Sequence, residues 1–304
     1  MSELVVFFLA GFAASLVDGA LGMGFGPTSA SILLGSGLSP SAISTTVNLA
    51  KVATGVTAAV SHWRFDNIDR DLVRRLAVPG SVGALIGVTV LANVDGDRLK
   101  PLLSVLLLLM AGRILVRFSR PFARTGDEDA GSEADKVDLR RARLRGTEAV
   151  AAVGGVTNGL VGAWGPVVTP FLLQRGLPPR YAIGSVNTAE VAVAVVASGS
   201  LLASVGGGGI DVGVVLAMLA GGVLAAPLAA WVIRFLPARA MGVAVGGLLS
   251  FTNARELLSG TDADGLRWAA YAAIAAACAF ASLRPRLARR GHDRAPSAAD
   301  LPAT

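Results

Sequence analysis

Charge is what this sequence has least of. Only 16% of its 304 residues are Asp, Glu, Lys or Arg, against about 25% in an ordinary soluble domain. Lys51 is the only formally charged residue between Gly19 and Trp63, and residues 76–94, 149–174, 191–210 and 212–233 hold none. Uncharged runs of about 20 residues match a hydrocarbon layer about 30 Å thick, and these lack the polar face of a soluble amphipathic helix. A soluble globular protein is excluded. Cysteine is nearly absent too: Cys278 alone allows neither a disulfide framework nor a cysteine metal site. His62 and His292 are the only histidines, too few for a histidine metal cluster, and HExxH does not occur. An intramembrane hydrolase needs a buried nucleophile with a base in reach, and the one candidate base, His62, falls at a helix end. No enzyme, metal or cofactor is expected. The net charge of +6 does not imply nucleic acid, because the basic residues lie in loops and the tail, where the positive-inside bias puts them. The first residues lack a basic region and read as a retained first helix rather than a cleaved signal.

What the sequence does have is an internal repeat. Residues 26–53 align with 165–192 at a constant offset of 139, and twelve of the 28 positions are identical. Composition alone would give roughly three. The identities include Gly26/Gly165, Pro27/Pro166, Pro40/Pro179 and Asn48/Asn187; with a one-residue gap, Asp18 aligns with Asn158 and Gly22 with Gly162. The chain is read as a duplication.

Hydropathy predicts helices at 4–21, 27–38, 40–61, 75–93 and 98–117, then at 148–162, 166–175, 180–204, 212–234 and 239–257, with one more at 268–283. Arg64, Arg70, Arg74 and Arg75 place the 62–75 loop in the cytoplasm, as do the arginines of the 119–146 linker and of the tail after Arg284. Loops near Asp95, Asp211 and Asp264 carry little positive charge and belong outside. The expected fold is therefore all-α: a multi-pass inner (plasma) membrane protein built from two inverted repeats, 1–118 and 147–258. Each has a half-membrane helical hairpin followed by about three spanning helices. A charged cytoplasmic linker at 119–146 joins them, and an extra helix at 259–283 leads to a basic cytoplasmic tail at 284–304. The N-terminus would face outward. The lipid bilayer is the implied partner, and a homo-oligomer stays open.

The candidate site lies where the repeats match. Helices 27–38 and 166–175 are too short to span, and each follows a glycine-rich turn: Gly22, Gly24 and Gly26 in one copy, Gly162 and Gly165 in the other. Each opens with Gly-Pro, and proline suits a first turn, where its missing N–H costs nothing. Irregular backbone at membrane depth is tolerated when it lines a cavity or is buried in protein. Inversion would then bring both tips to mid-membrane, with two helix N-termini and their N–H groups facing one anion. Pro27 and Pro166 belong to this turn, and Asp18 and Asn158 stand just before it, placed to cap it. Thr46, Asn48, Ser185 and Asn187 follow about 12 Å into the next helices as hydrogen-bonding ligands. Close packing of glycine-rich helices, with the asparagines hydrogen-bonded between them, is the competing reading. Lys51 and Glu190 stand at equivalent places one turn further on, where ionisable groups are expensive. They pair with each other, or Lys51 attracts the anion while Glu190 carries a proton. Trp63 and Arg64 read as interfacial anchors.

The stretch VDGALGMGFGP ending at Pro27, SHWRFDNID at 61–69 and GPVVTPFLLQRGLPPRYAIGSVNTAE at 165–190 resemble the sulfite exporter TauE/SafE family, described also as permeases. The resemblance covers both halves, apart from the linker. It implies transport of sulfur oxyanions or organosulfonates, coupled to the proton gradient. The family pattern is often acidic at the counterpart of Glu190 in the first half and carries His where Asn48 stands. Lys51 and Asn48 depart from it, which argues against a symmetric proton relay. A related thiosulfate-uptake mechanism relies on several cysteines and is excluded by Cys278 standing alone. Two alternatives stay open: a cation or metal-ion transporter, for which only Asp18, Glu190 and Asp211 offer carboxylates, and a membrane assembly protein that transports nothing.

Overall fold

The computed structural model describes residues 2–21, 23–119, 145–175, 177, 179–205, 211–232, 238–258 and 264–292. Most of the 119–146 linker and the end of the basic tail lie outside them. Among the described residues there are eleven helices and no strand. In chain order these are α1 (Ser2–Leu21), α2 (Phe25–Gly35), α3 (Pro40–Arg64), α4 (Arg70–Asn93), α5 (Gly96–Ser119), α6 (Thr147–Val161), α7 (Gly165–Gln174), α8 (Pro179–Val205), α9 (Val212–Val232), α10 (Ala238–Leu258) and α11 (Asp264–His292).

Arg70–Asn93, Arg98–Ser119, Tyr181–Ser204 and Asp264–Leu283 are long and apolar enough to cross a membrane. Their outward faces are apolar: Val78 and Ile86 on α4, Leu109 on α5 (69% exposed), and Trp268 and Phe280 on α11 are open to the surroundings. A soluble protein would bury such side chains, whereas lipid tails accept them. The helix α3 is long enough to span but is interrupted by Ser44, Thr45, Thr46, Asn48 and Lys51, all of which it buries inside the protein. Helices α2 and α7, with 11 and 10 residues, reach only about 15–16 Å.

The helices pack in exchanged pairs. Helix α1 lies along α9, and α4 lies along α6, so the first helix of each half rests on the fourth of the other. Glycine permits both approaches. A methyl at Gly11 would overlap the Met218 carbonyl, and one at Gly83 would overlap the Ala152 carbonyl. Backbones this close give the van der Waals contact that holds helices together in lipid. Helices α3 and α8 pack against each other, and α3 also touches α9 while α8 touches α4. One apolar cluster, including Leu33, Val47, Trp164 and Val186, fills the middle; a second joins α5, α10 and α11.

The span read as a 62–75 loop is mostly helical. Helix α3 continues to Arg64 and α4 begins at Arg70, because Asp69 caps it by accepting from the Asp71 and Leu72 amides at 3.1 and 3.2 Å. Of the arginines assigned to the loop, Arg64 therefore ends α3, and Arg70, Arg74 and Arg75 sit in the first turns of α4. Asp69→Ala should remove the cap and lower stability by about 1 kcal/mol; a thermal melt of the purified protein would read it, and an unchanged midpoint would show the cap to be idle.

Candidate functional site

The site is built on two hairpin tips. Helix α6 ends at Gly162, whose φ of +68° lies in the left-handed region. Its N–H donates to the Asn158 carbonyl at 2.7 Å, and the Thr157 hydroxyl closes the turn by donating to the Ala163 carbonyl at 2.6 Å. Trp164, fully buried, precedes α7. The first tip passes from α1 through Met23 and Gly24 into α2. Its Gly26 sits so close to Gly162 and Ala163 that a Cβ there would overlap the Gly162 carbonyl. The two tips are thus in backbone contact, each at the start of a short Gly-Pro helix. Gly26, Pro27, Gly165 and Pro166 are all buried. Gly22 lies outside the described residues.

The tips are capped differently. Asp18 Oδ1 accepts from the Gly24 N–H at 2.7 Å and the Phe25 N–H at 3.2 Å, which holds the N-terminus of α2. Asn158 does not cap with its side chain, contrary to the sequence expectation. Its backbone carbonyl serves the turn, while its Nδ2 donates to Asn48 Oδ1 at 2.7 Å. Asn48 Nδ2 in turn donates to the Ser44 carbonyl at 2.9 Å and the Asn158 carbonyl at 3.2 Å. Fully buried, Asn48 is committed to the contact between α3 and α6, which is the competing role weighed from the sequence.

Its repeat counterpart Asn187 has another neighbour, with Nδ2 lying 3.4 Å from His62 Nε2. Ser185 Oγ accepts from the Asp69 N–H at 2.9 Å, and a methyl at Gly184 would overlap the Asn67 carbonyl. The segment 62–69 therefore folds back onto the first third of α8, a contact that sequence reasoning missed. Its signal was available: Asp69-Arg70-Asp71 is a helix start, and Gly184 stands where the other copy has Thr45. Thr46 is buried.

Lys51 and Glu190 form an ion pair across α3 and α8, with side chains 8% and 17% exposed. Of the two roles open from the sequence, the pair is the one found. Asp18, the other carboxylate of the matched regions, rests on the N-terminus of α2. No group of three or more His, Cys, Asp or Glu side chains is gathered for a metal among the described residues.

Comparison with known proteins gives this geometry its context. The profile of the family described as Sulfite exporter TauE/SafE matches residues 7–255. The chain is 40% identical over 260 residues to a Bacillus subtilis (strain 168) protein named "Probable membrane transporter protein YtnM", covering 85% of this chain and 84% of that one. No solved structure matches. Two short helices whose tips touch, a shielded ion pair between α3 and α8 and an apolar exterior accompany these matches, and the chain belongs to the TauE/SafE family of membrane transporters.

Proposed function

We propose that the chain carries a small anion, a sulfur oxyanion or organosulfonate of the sulfite type, by proton-coupled alternating access between two inverted repeats. The observation that carries this reading is the contact of Gly26 with Gly162 and Ala163. It brings the starts of α2 and α7 to one place, and helix N-termini favour negative charge. In this reading the anion sits against the turns 24–27 and 162–166, with Asn187 as its side-chain donor. Thr46 is a wall of the site, while Asn48 and Ser185 act at one remove by fixing α3 to α6 and α8 to α4. Lys51 and Glu190 hold the charge balance through which a proton couples. The matched protein's printed name, a probable membrane transporter, agrees with transport and names no substrate.

Inversion is supported by which helix ends meet. Arg75 at the start of α4 bonds to Glu148 at the start of α6 at 2.7 Å, and the end of α3 meets the start of α8 through His62 and Asn187. Those ends carry the arginines and are assigned to the cytoplasm. At the opposite face, Leu4 lies at Gly213 and Pro40 at Gly96, near Asp211 and Asp95. The repeats are then 1–118 and 147–258, joined by the cytoplasmic segment 119–146; the extra helix expected within 259–283 is α11, which runs on to His292 into the segment 284–304 read as a tail. The N-terminus is outside and the C-terminus inside. Reporter fusions in the linker and the tail should both read cytoplasmic; an external linker would end the inverted-repeat proposal.

The substrate class is tested on the purified protein with sulfite, sulfate, methanesulfonate and chloride, using divalent cations as controls. A ligand at about a hundred times its Kd should stabilise by about 2.7 kcal/mol, and one or more of the sulfur anions should do so above chloride. Asn187→Ala should weaken that anion by about 1–2 kcal/mol. Asn48→Ala should instead cost stability. Selective stabilisation by a cation would overturn the anion reading.

A further inference from the structure

The two ends of the proposed anion site are not equivalent, and the difference is one carboxylate. At the α2 end, Asp18 already takes the Gly24 and Phe25 N–H groups at 2.7 and 3.2 Å. An incoming oxyanion would seek those same donors. In the other half the aligned residue is the neutral Asn158, whose side chain turns away to Asn48. We infer that the Asp18 carboxylate is a built-in competitor for the substrate anion, which gains the α2 end of the site only when that carboxylate leaves it. The inference rests on the anion reading above and concerns how tightly the site binds.

Two further observations point to a ligand at this end. Thr28 and Ser29, in the first turn of α2, are both fully buried, and neither Thr28 Oγ1 nor Ser29 Oγ has a hydrogen-bond partner. Buried hydroxyls without partners are rare and costly. Cα–Cβ bonds in a helix lean toward its N-terminus, so both side chains set out toward the end that Asp18 covers. Ser31, half a turn on, is by contrast satisfied: Asn253 Nδ2 donates to its Oγ at 2.7 Å and pins α2 to α10. Of the three buried hydroxyls of α2, the one nearer its middle is thus satisfied within the protein, and the two nearer its N-terminus are left for an oxyanion to fill. Electrostatics gives the same direction. Lys51 is already paired with Glu190, so Asp18 and a bound anion together would put two uncompensated negative charges at one depth, and buried charge without a partner is expensive.

The test compares anion affinity in the full-length protein and three variants, using sulfite, sulfate and chloride as probes and calorimetry with thermal melting as readouts. Asp18→Asn keeps an oxygen for the Gly24 N–H and removes only the charge. It should bind the preferred anion about tenfold more tightly, the size of a helix-terminus charge effect in a partly buried setting. Asp18→Ser, shorter but still an acceptor, should move the same way and serves if Asp18→Asn does not fold. Thr28→Val should weaken binding several-fold with no loss of thermal stability, since it deletes a hydroxyl that has no partner in the unliganded protein. If the wild type binds an anion and Asp18→Asn binds it equally or less well, the competitor role is overturned while the anion site stands. Unchanged affinity in Thr28→Val would likewise remove the α2 end from the site. If neither the wild type nor Asp18→Asn binds any of the three or methanesulfonate, the anion reading falls and takes this inference with it.

Discussion

Replacing Lys51 or Glu190 alone by a neutral residue is expected to abolish transport and to lower stability by about 3–5 kcal/mol, the cost of leaving one member of a buried ion pair unpaired. Both side chains are shielded, and they meet between α3 and α8, which pack against each other. A lone ammonium or carboxylate within a membrane is costly by several kcal/mol. The cost concerns the broken pair rather than the pair's net contribution, because desolvation offsets most of the attraction. That distinction makes the experiment informative. Lys51→Met combined with Glu190→Leu should recover most of the thermal stability lost by either single change, since two apolar groups of similar volume can replace a buried pair at little cost. Transport should not return with it if the pair carries the coupling charge. The exchange Lys51→Glu with Glu190→Lys keeps the pair but moves the carboxylate to α3, further along the chain from the α8 asparagine. It should fold, and its flux in proteoliposomes measures how much the orientation of the pair matters. Wild-type flux in both single variants would show the pair to be dispensable.

The helices were legible because hydrophobic segments are local information. All eleven predicted elements are present, and the two short ones are short for the reason the sequence gives: a Gly-Pro start and a polar turn within about a dozen residues. The constant offset of 139 also placed Lys51 opposite Glu190, and the pair is bonded at that spacing. What the repeat could not convey is where matched residues diverge. Asn48 and Asn187 look interchangeable in the alignment, yet one is locked to Asn158 and the other faces His62. The difference comes from their neighbours, since the first copy supplies Asp18 where the second supplies Asn158, and segment 62–69 docks on α8. Such contacts join residues more than 100 positions apart. They depend on backbone approach that only glycines such as Gly184 allow, and a glycine in a sequence does not say which partner comes close.

The tips offer the sharpest separation of geometry from composition. Gly162→Ala meets two obstacles: a φ of +68° that costs a residue with a side chain roughly 1–2 kcal/mol, and a methyl driven into Val47. The first is fixed by the turn, while the second belongs to a side chain that can be shortened. Gly162→Ala is therefore expected to destabilise by about 3 kcal/mol in all, and adding Val47→Ala should relieve the clash with the Val47 Cγ, leaving a tight 3.1 Å approach to its Cβ and the conformational part. Gly26→Ala differs in kind. The atoms its methyl would strike are the carbonyl of Gly162 and, at 3.2 Å, the Cα of Ala163. No side-chain truncation can relieve a clash with backbone, so the two tips must move apart. If the proposed site is right, anion binding should then be lost even where the variant folds and inserts, because the turns 24–27 and 162–166 would be pushed apart. Measured together, the rescue of Gly162→Ala by Val47→Ala and the lack of any such rescue for Gly26→Ala would establish that the hairpins touch through their backbones. A Gly26→Ala protein with unaltered stability and anion affinity would mean that the tips stand apart in the membrane and that the site lies elsewhere.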